Sequence, residues 1–277
     1  MFTLNCRGKL LVIDRPMVMG IINITPDSFY AGSRLQVMDD ILKQAEKMIK
    51  EGASFLDIGA QSSRPGSELL SADEELTRIG DAIAEIHRRF PETVISVDTF
   101  HSKVAAETVA AGASLINDIS AGFMDTRMLS LVASLQVPYI CMHMKGTPQN
   151  MQQDIFYENI VTDVVDFFIE RIASCKKAGI HDIIIDPGFG FGKTIAHNFT
   201  LLKNLSAFSI FENPLLLGIS RKSTIYKTLG TTADQALNGT TVLNTIGIMN
   251  GANILRVHDV KEAVEAVTLV SRLNIEN

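Results

Sequence analysis

The chain has 277 residues, 46% of them hydrophobic and 20% charged, which is enough for a large core in one barrel-sized domain or two smaller ones. A formal net charge of −6 and a pI near 5.5 argue against a nucleic-acid partner, because a phosphate backbone wants a basic face. Three scattered cysteines (Cys6, Cys141, Cys175), no signal-like apolar core in Met1 to Leu11 and no membrane-length apolar run point to a soluble cytoplasmic protein with no membrane partner.

Residues 1–16 read as a short hairpin turning at Arg7-Gly8-Lys9, either a plug for the bottom of a barrel or a loose arm. Then one pattern recurs eight times: a short apolar strand, a polar end, a helix. The first strand, Met17 to Ile24, meets its first polar side chain at Asn23 and runs into Thr25-Pro26-Asp27-Ser28-Phe29. A helix over about 35–51 follows and stops at Gly52. The second strand, Phe55 to Gly59, leads to Gln61-Ser62-Ser63-Arg64-Pro65-Gly66 and a helix over 72–89, with Ser71 and Glu74 forming a capping box. The third, Val94 to Val97, ends in Asp98, and its helix spans 103–111. The fourth closes in Asn117-Asp118 before a helix over 126–135. The fifth, Pro138 to Met142, ends in His143 and Lys145, and a long helix covers 157–178.

The sixth strand, Ile183-Ile184-Ile185, reads as buried on both faces and ends abruptly in Asp186. Pro187-Gly188-Phe189-Gly190-Phe191-Gly192-Lys193 follows, a loop whose alternate glycines let the backbone lie close against a ligand. His197-Asn198 introduces a helix to about 205. The seventh strand, Pro214 to Ile219, ends in Ser220-Arg221-Lys222-Ser223, before a helical region over 233–250. The eighth, Asn253 to His258, is followed by a helix to about 272 with Asp259 as its N-cap. Eight alternating units within one undivided stretch of 1–277 predict a single-domain α/β fold, a (β/α)8 TIM barrel with a short amino-terminal hairpin. A dinucleotide-binding sheet would carry G-x-G-x-x-G after strand one, where Asn23-Ile24-Thr25-Pro26 stands instead.

In such a barrel the carboxyl ends of all strands meet at one mouth. That gathers Asn23, Ser63, Arg64, Asp98, Asn117, Met142, Asp186, Lys222, Arg256 and His258. Arg64, Arg256, Ser63 and His258 form a candidate anion site, sized for a diphosphate, although Arg64 also suits a surface loop. Arg256, between Leu255 and Val257 in an apolar strand, needs an anionic partner when buried. Asn117, Asp186 and Lys222 can bind the edge of a polar heterocycle, between walls of Met142, Phe191, Gly190 and Gly218. Asp186 could instead cap its own glycine-rich turn. Gly192-Lys193-Thr194 fails as a P-loop because Pro187 stands where the first glycine belongs, and no nucleophile elbow is present. Asn23 could hold one Mg2+ beside waters and diphosphate oxygens.

Asn23-Ile24-Thr25-Pro26-Asp27-Ser28-Phe29, Ser62-Ser63-Arg64-Pro65-Gly66, Asp186 to Lys193, Ser220-Arg221-Lys222-Ser223 and Arg256-Val257-His258-Asp259 resemble, in order, the motifs of bacterial dihydropteroate synthases. The resemblance covers essentially the whole chain. It implies a folate-synthesis transferase that condenses hydroxymethyl-dihydropterin pyrophosphate with p-aminobenzoate, with Mg2+ at Asn23. It implies pyrophosphate contacts from Ser63, Arg64, Arg256 and His258. Pterin contacts would come from Asp98, Asn117, Asp186 and Lys222, and Ser223 would receive the p-aminobenzoate carboxylate. Among these, Asp98, Lys222, Arg256 and His258 would carry the catalysis. Phe29 and Pro65 would be apolar lid residues. It also implies sensitivity to sulfonamides and a homodimer. Val264, Val267, Leu269 and Val270 could supply the subunit contact, and core packing explains them equally well. Two departures stand out. Gly59-Ala60-Gln61-Ser62-Ser63 replaces the usual Gly-Gly-Glu-Ser-Thr, and Phe29-Tyr30-Ala31-Gly32-Ser33 replaces a more glycine-rich run. A methyltetrahydrofolate methyltransferase-like barrel and a non-catalytic pterin-binding paralogue are the alternatives. Release of pyrophosphate with and without p-aminobenzoate separates them.

Overall fold

The computed structural model describes residues 1–24, 34–61 and 69–273. Strands β3 (Met17–Asn23), β4 (Phe55–Gly59), β5 (Val94–Asp98), β6 (Leu115–Asp118), β7 (Tyr139–Met142), β8 (Ile183–Asp186), β9 (Leu216–Leu217) and β10 (Ile254–Val257) form one parallel sheet in the order β8-β7-β6-β5-β4-β3-β10-β9. A parallel bridge between Ile185 and Leu215 joins its two ends, so the sheet closes into the expected barrel. Helices α1 (Arg34–Lys50), α2 (Ala72–Arg89), α3 (Ser102–Ala111), α4 (Met128–Leu135), α5 (Ile160–Ala178), α6 (Ile195–Lys203), α7 (Ser223–Leu229), α8 (Leu237–Met249) and α9 (Val260–Leu273) surround it. A 3-10 turn over Leu205–Phe211 had no signal in the sequence reading.

The strands are buried on both faces, which is why they read as unbroken apolar runs. Outward residues such as Leu56, Ile58, Ile95, Val97, Ile183 and Ile185 pack against the helices in the main core. Inward residues follow the two-residue alternation of a strand. The lowest inward layer is Met19, Phe55, Val94, Leu115, Ile140, Ile184, Leu216 and Ile254.

Leu4, Cys6 and Ile13 close that layer from below. They belong to the hairpin of β1 (Phe2–Cys6) and β2 (Lys9–Ile13), paired from Phe2↔Ile13 to Cys6↔Lys9. Arg7 and Gly8 turn the chain with φ of 55° and 84°, and the Gly8 N–H donates to Asn5 Oδ1 at 2.7 Å. The Asn5 N–H donates to Asp182 Oδ2 at 2.8 Å, fixing the hairpin to the start of β8. The hairpin is thus a barrel plug rather than a loose arm.

Two helix starts differ from expectation, each set by a capping side chain nearby. The Ser71–Glu74 capping box is present as read. Helix α6 begins two residues before His197, because Thr194 caps it and His197 closes the box from its third position. Helix α5 starts after Asn159, whose side chain accepts from the N–H groups of Val161 and Thr162. Asp259 stands at the N-cap position of the last helix, where its carbonyl accepts from the Ala263 N–H at 3.3 Å, and its carboxylate takes both forks of Arg221 at 2.8 Å. Of the four residues considered for a subunit contact, Val267 and Val270 lie in the core, Val264 packs on it, and Leu269 is exposed.

Candidate active site

The next inward layer, two residues above the plug layer, is where chemistry begins. It comprises Ile21, Asp57, Ser96, Asn117, Met142, Asp186, Gly218 and Arg256. Two residues higher stand Asn23, Asp98, Ser220 and His258. The predicted residues Asn23, Asp98, Asn117, Met142, Asp186, Gly218, Arg256 and His258 therefore share one series, pointing into one mouth. Ser63, Arg64, Phe29 and Pro65 lie outside the described residues.

Asp57, which is not among the residues expected at the site, is the hub. Its carboxylate is fully buried. Oδ1 accepts from Ser96 Oγ at 2.5 Å. Oδ2 accepts from Asn117 Nδ2 at 3.0 Å and from Arg256 Nε at 2.6 Å. Arg256 Nη2 also donates to Asp98 Oδ2 at 2.7 Å. Arg256 thus has the anionic partner its burial demanded, and that partner is protein. An acidic residue between Leu56 and Ile58 was the available signal, by the same reasoning applied to Arg256.

The charges shift one another. Desolvation raises the Asp98 carboxyl to about 7, against the pull of Arg256. Burial also raises Asp186, with Lys222 opposing. Lys222 is lowered to about 8 by desolvation, and Asp186 holds it from falling further. His258 keeps an exposed edge, yet desolvation of its ring brings it down to about 4, with Arg256 adding repulsion. Its Nδ1 lies 3.0 Å from Ser220 Oγ.

Lys222 comes from the loop after β9, just before α7, whose first residue is Ser223. Its ammonium donates to the Phe189 carbonyl at 2.5 Å and sits 4.6 Å from the Phe191 ring centre. Gly218 and Gly190 keep this corner open. A methyl on Gly218 would stand 3.7 Å from Asp186 Oδ2 and 3.9 Å from Lys222 Nζ; one on Gly190 would press Lys222 Cδ at 3.3 Å. Asp186 does cap its own turn, accepting from the Gly188 N–H at 2.7 Å through Oδ1. Oδ2 faces the Gly218 and Lys222 corner, so the two roles fall on different oxygens. Phe191 and Met142 join Phe100, Ile119 and Met151 in a small apolar cluster beside this corner.

Two neighbours of the predicted set are structural. Asp118 turns away from the mouth and accepts from Tyr139 Oη, Ser120 and Gly122. Arg221 uses its remaining donors on the carbonyls of Ala233 and Asp234.

A buried acid lies behind Asp98. Glu75, on the first turn of α2, has no exposed surface, and the Thr99 hydroxyl beside it is the one group that favours its ionised form by hydrogen bonding. His101 Nε2 is 4.0 Å away. Burial raises its pKa to about 8, and the Asp98 charge adds to this. The unfolded chain releases that proton near pH 4.3, the ordinary glutamate value. The folded state therefore binds the extra proton between those values, and the contribution is lost as pH rises through about 8. Glu75→Gln should melt with less pH dependence than wild type between pH 5 and 8.5, and higher at the upper end. Thermal scans across that range check this; parallel curves would contradict it.

A closed parallel barrel with alternating carboxylates and cations in its mouth defines an enzyme of small polar, anionic substrates, and its family is that described as pterin binding enzyme, whose model matches residues 19–258. Dihydropteroate synthase of Escherichia coli (strain K12) is 42% identical over 266 residues, covering 95% of this chain and 94% of that protein. A dihydropteroate synthase of Yersinia pestis, solved with a sulfonamide drug, superposes with a TM-score of 0.92 at 42% identity over 98% of this chain and 99% of that one. The Xanthomonas albilineans enzyme in complex with 7,8-dihydropteroate gives 0.89 at 35% identity over the whole of both chains. The chain belongs to the bacterial dihydropteroate synthases.

Proposed function

We propose that this chain joins hydroxymethyl-dihydropterin pyrophosphate to p-aminobenzoate by loss of pyrophosphate first and attack of the aniline nitrogen second. The observation that carries this reading is the mouth network: Asp57 holds Asn117 and Arg256 together, Arg256 reaches Asp98, and Asp186 faces Lys222. The amino-pyrimidine edge of a pterin offers N–H donors to Asp186 Oδ2. Asn117 has one N–H on Asp57, so its oxygen remains an acceptor for a ring N–H. Lys222 exchanges the Phe189 carbonyl for a ring carbonyl.

His258 stands one layer above, and Arg256 reaches up to that layer through Asp98; both face the side from which the diphosphate would leave. With Ser63 and Arg64 they would take up the charge that develops as the C–O bond breaks. The electron pair departs with pyrophosphate, and the remaining methylene cation is delocalised into the ring. Asp98, beside Arg256, stabilises that cation as its carboxylate. The aniline nitrogen then forms the C–N bond and loses its proton. Ser223, at the start of α7, would receive the p-aminobenzoate carboxylate. Phe29 and Pro65 would cover the site and exclude water, which competes for the cation.

Asn23 ends β3 with its side chain exposed at the mouth, and the described residues contain no cluster of three metal-ligating groups. One amide oxygen fits Mg2+, which keeps several waters and shares phosphate oxygens. When bound there, the ion would supply charge neutralisation to the leaving diphosphate.

Pyrophosphate release with both substrates and Mg2+ tests the reading. Release that depends on p-aminobenzoate, with sulfonamide inhibition competitive against p-aminobenzoate, is the expected result. No release, or competition against the pterin alone, would overturn it.

The enzyme is further proposed to be a cytoplasmic homodimer. No helix among the described residues is long and apolar enough to cross a membrane. The cysteines are free and buried. Leu229, Val242, Met249, Leu269 and Leu273 expose apolar side chains on neighbouring helices α7 to α9. Sedimentation should give twice the chain mass, and Met249→Glu with Leu269→Glu should halve it. A wild-type monomer at micromolar concentration would contradict this.

A further inference from the structure

Lys193 ends the glycine-rich loop and is absent from the chemistry above. Its side chain is buried at 3% exposure. Its ammonium reaches four acceptors: His143 Nδ1 at 2.7 Å, the Gly188 carbonyl at 2.9 Å, the Phe191 carbonyl at 3.0 Å and the His143 carbonyl at 3.2 Å. Three of these are carbonyl oxygens, which only accept. With Nδ1 as the fourth acceptor, the set calls for a lysine that only donates, its three N–H bonds spread over four acceptors with the longer His143 carbonyl contact shared. Burial pulls the Lys193 pKa well below its usual range, and Asp186 opposes that fall.

The loop's carbonyls are shared among tethers. Gly188 and Phe191 turn theirs to Lys193 on the outer side. Phe189 turns its carbonyl to Lys222 on the inner side. Gly190 and Gly192 give theirs to Gln152 and Tyr157. The turn is tight: Gly188 has φ of 68°, and a methyl there would fall 1.9 Å from the His143 carbonyl. Of these acceptors only the Gly188 carbonyl has a backbone donor among the described residues, the Phe191 N–H at 3.1 Å, and charge-assisted bonds from one buried cation serve it together with the Phe191 and His143 carbonyls.

We propose that Lys193 is a positioning residue for the pterin-facing wall: its ammonium ties the end of β7 to the loop after β8 and so fixes Gly190, Phe191 and the carbonyl that receives Lys222. This rests on the pterin reading of the mouth. Lys193 lies behind the wall and touches no reacting group, so its removal should act on pterin capture and leave the p-aminobenzoate subsite alone.

Lys193→Met keeps the length and apolar stem and removes the donors. The expected result is a KM for the pterin pyrophosphate raised tenfold or more, with the p-aminobenzoate KM within twofold of wild type. Calorimetry with the pterin alone should show the same loss. Tyr157→Phe, which unties only Gly192, should leave both KM values within twofold. Should Lys193→Met fail to fold, Lys193→Gln, which retains two donors at shorter reach, should raise the same KM by a smaller factor. Both KM values moving together, or neither moving in a folded variant, would overturn the proposal. Failure of wild-type protein to bind the pterin at all would instead sink the underlying reading.

Discussion

Asp186→Ala should reduce pterin affinity by 100-fold or more. Asp186 Oδ2 faces an open corner between Gly218 and Lys222, while Oδ1 is committed to the Gly188 N–H. A pterin edge placing two N–H groups on that carboxylate gains roughly 1.5–3 kcal/mol from each charge-assisted bond. Losing both corresponds to a factor of at least about 100 in Kd. The variant also loses a turn cap, so Asp186→Asn is the companion. Its amide oxygen can still accept from Gly188, and its NH2 opposes the pterin donors. Titration calorimetry with the pterin reads both variants. Affinity within twofold of wild type in either would place the heterocycle elsewhere.

Asp57→Ala should be the most damaging change outside the substrate contacts. It strips Arg256 Nε and Asn117 Nδ2 of their shared acceptor and leaves Ser96 Oγ unpartnered in the barrel interior. Removing one member of a buried ion pair costs about 3–5 kcal/mol, because the remaining charge keeps its desolvation penalty. Asp98 would retain Arg256, now swung away from the Asn117 side. A fall in kcat/KM of about 100-fold or more should accompany a lowered melting temperature, since such losses follow from misplaced groups around the reacting bond. Asp57→Asn separates the two effects: it preserves volume and folding, and its activity should still fall strongly. An Asp57→Asn enzyme within threefold of wild type would show that the network serves stability alone.

Much of this site was legible because strand alternation and strand ends coincide in a short-stranded barrel. Asn23, Asp98, Asn117, Asp186, Arg256 and His258 are polar residues after apolar runs, and each lies on the inward series. Asp57 and Ser96 lie on that series too, in the same layer as Asn117, Asp186 and Arg256, but in the middle of their strands rather than at the ends. Polar residues at strand ends stand out in the sequence, whereas these two sit within apolar runs. Counting by twos from Phe55 or Val94 would have found both. Arg256 in an apolar strand needs an anion, yet the neighbouring carboxylates of Asp57 and Asp98 compete with any ligand for that role. Side-chain assignments outside strands were harder. Asp259 fits a helix cap by position alone, and only the fold brings Arg221 close enough to claim it. Lys193 closes the glycine-rich stretch in the sequence, and nothing in its neighbours there tells that four acceptors converge on it.

The most direct measurement is a crystal structure of the protein with the dihydropterin pyrophosphate bound. The ring's amino edge is predicted within hydrogen-bond distance of Asp186 Oδ2, its carbonyl within reach of Lys222, and its diphosphate beside Arg256 and His258. A pterin bound at another surface, or in the mouth without contact to Asp186 and Lys222, would contradict the account.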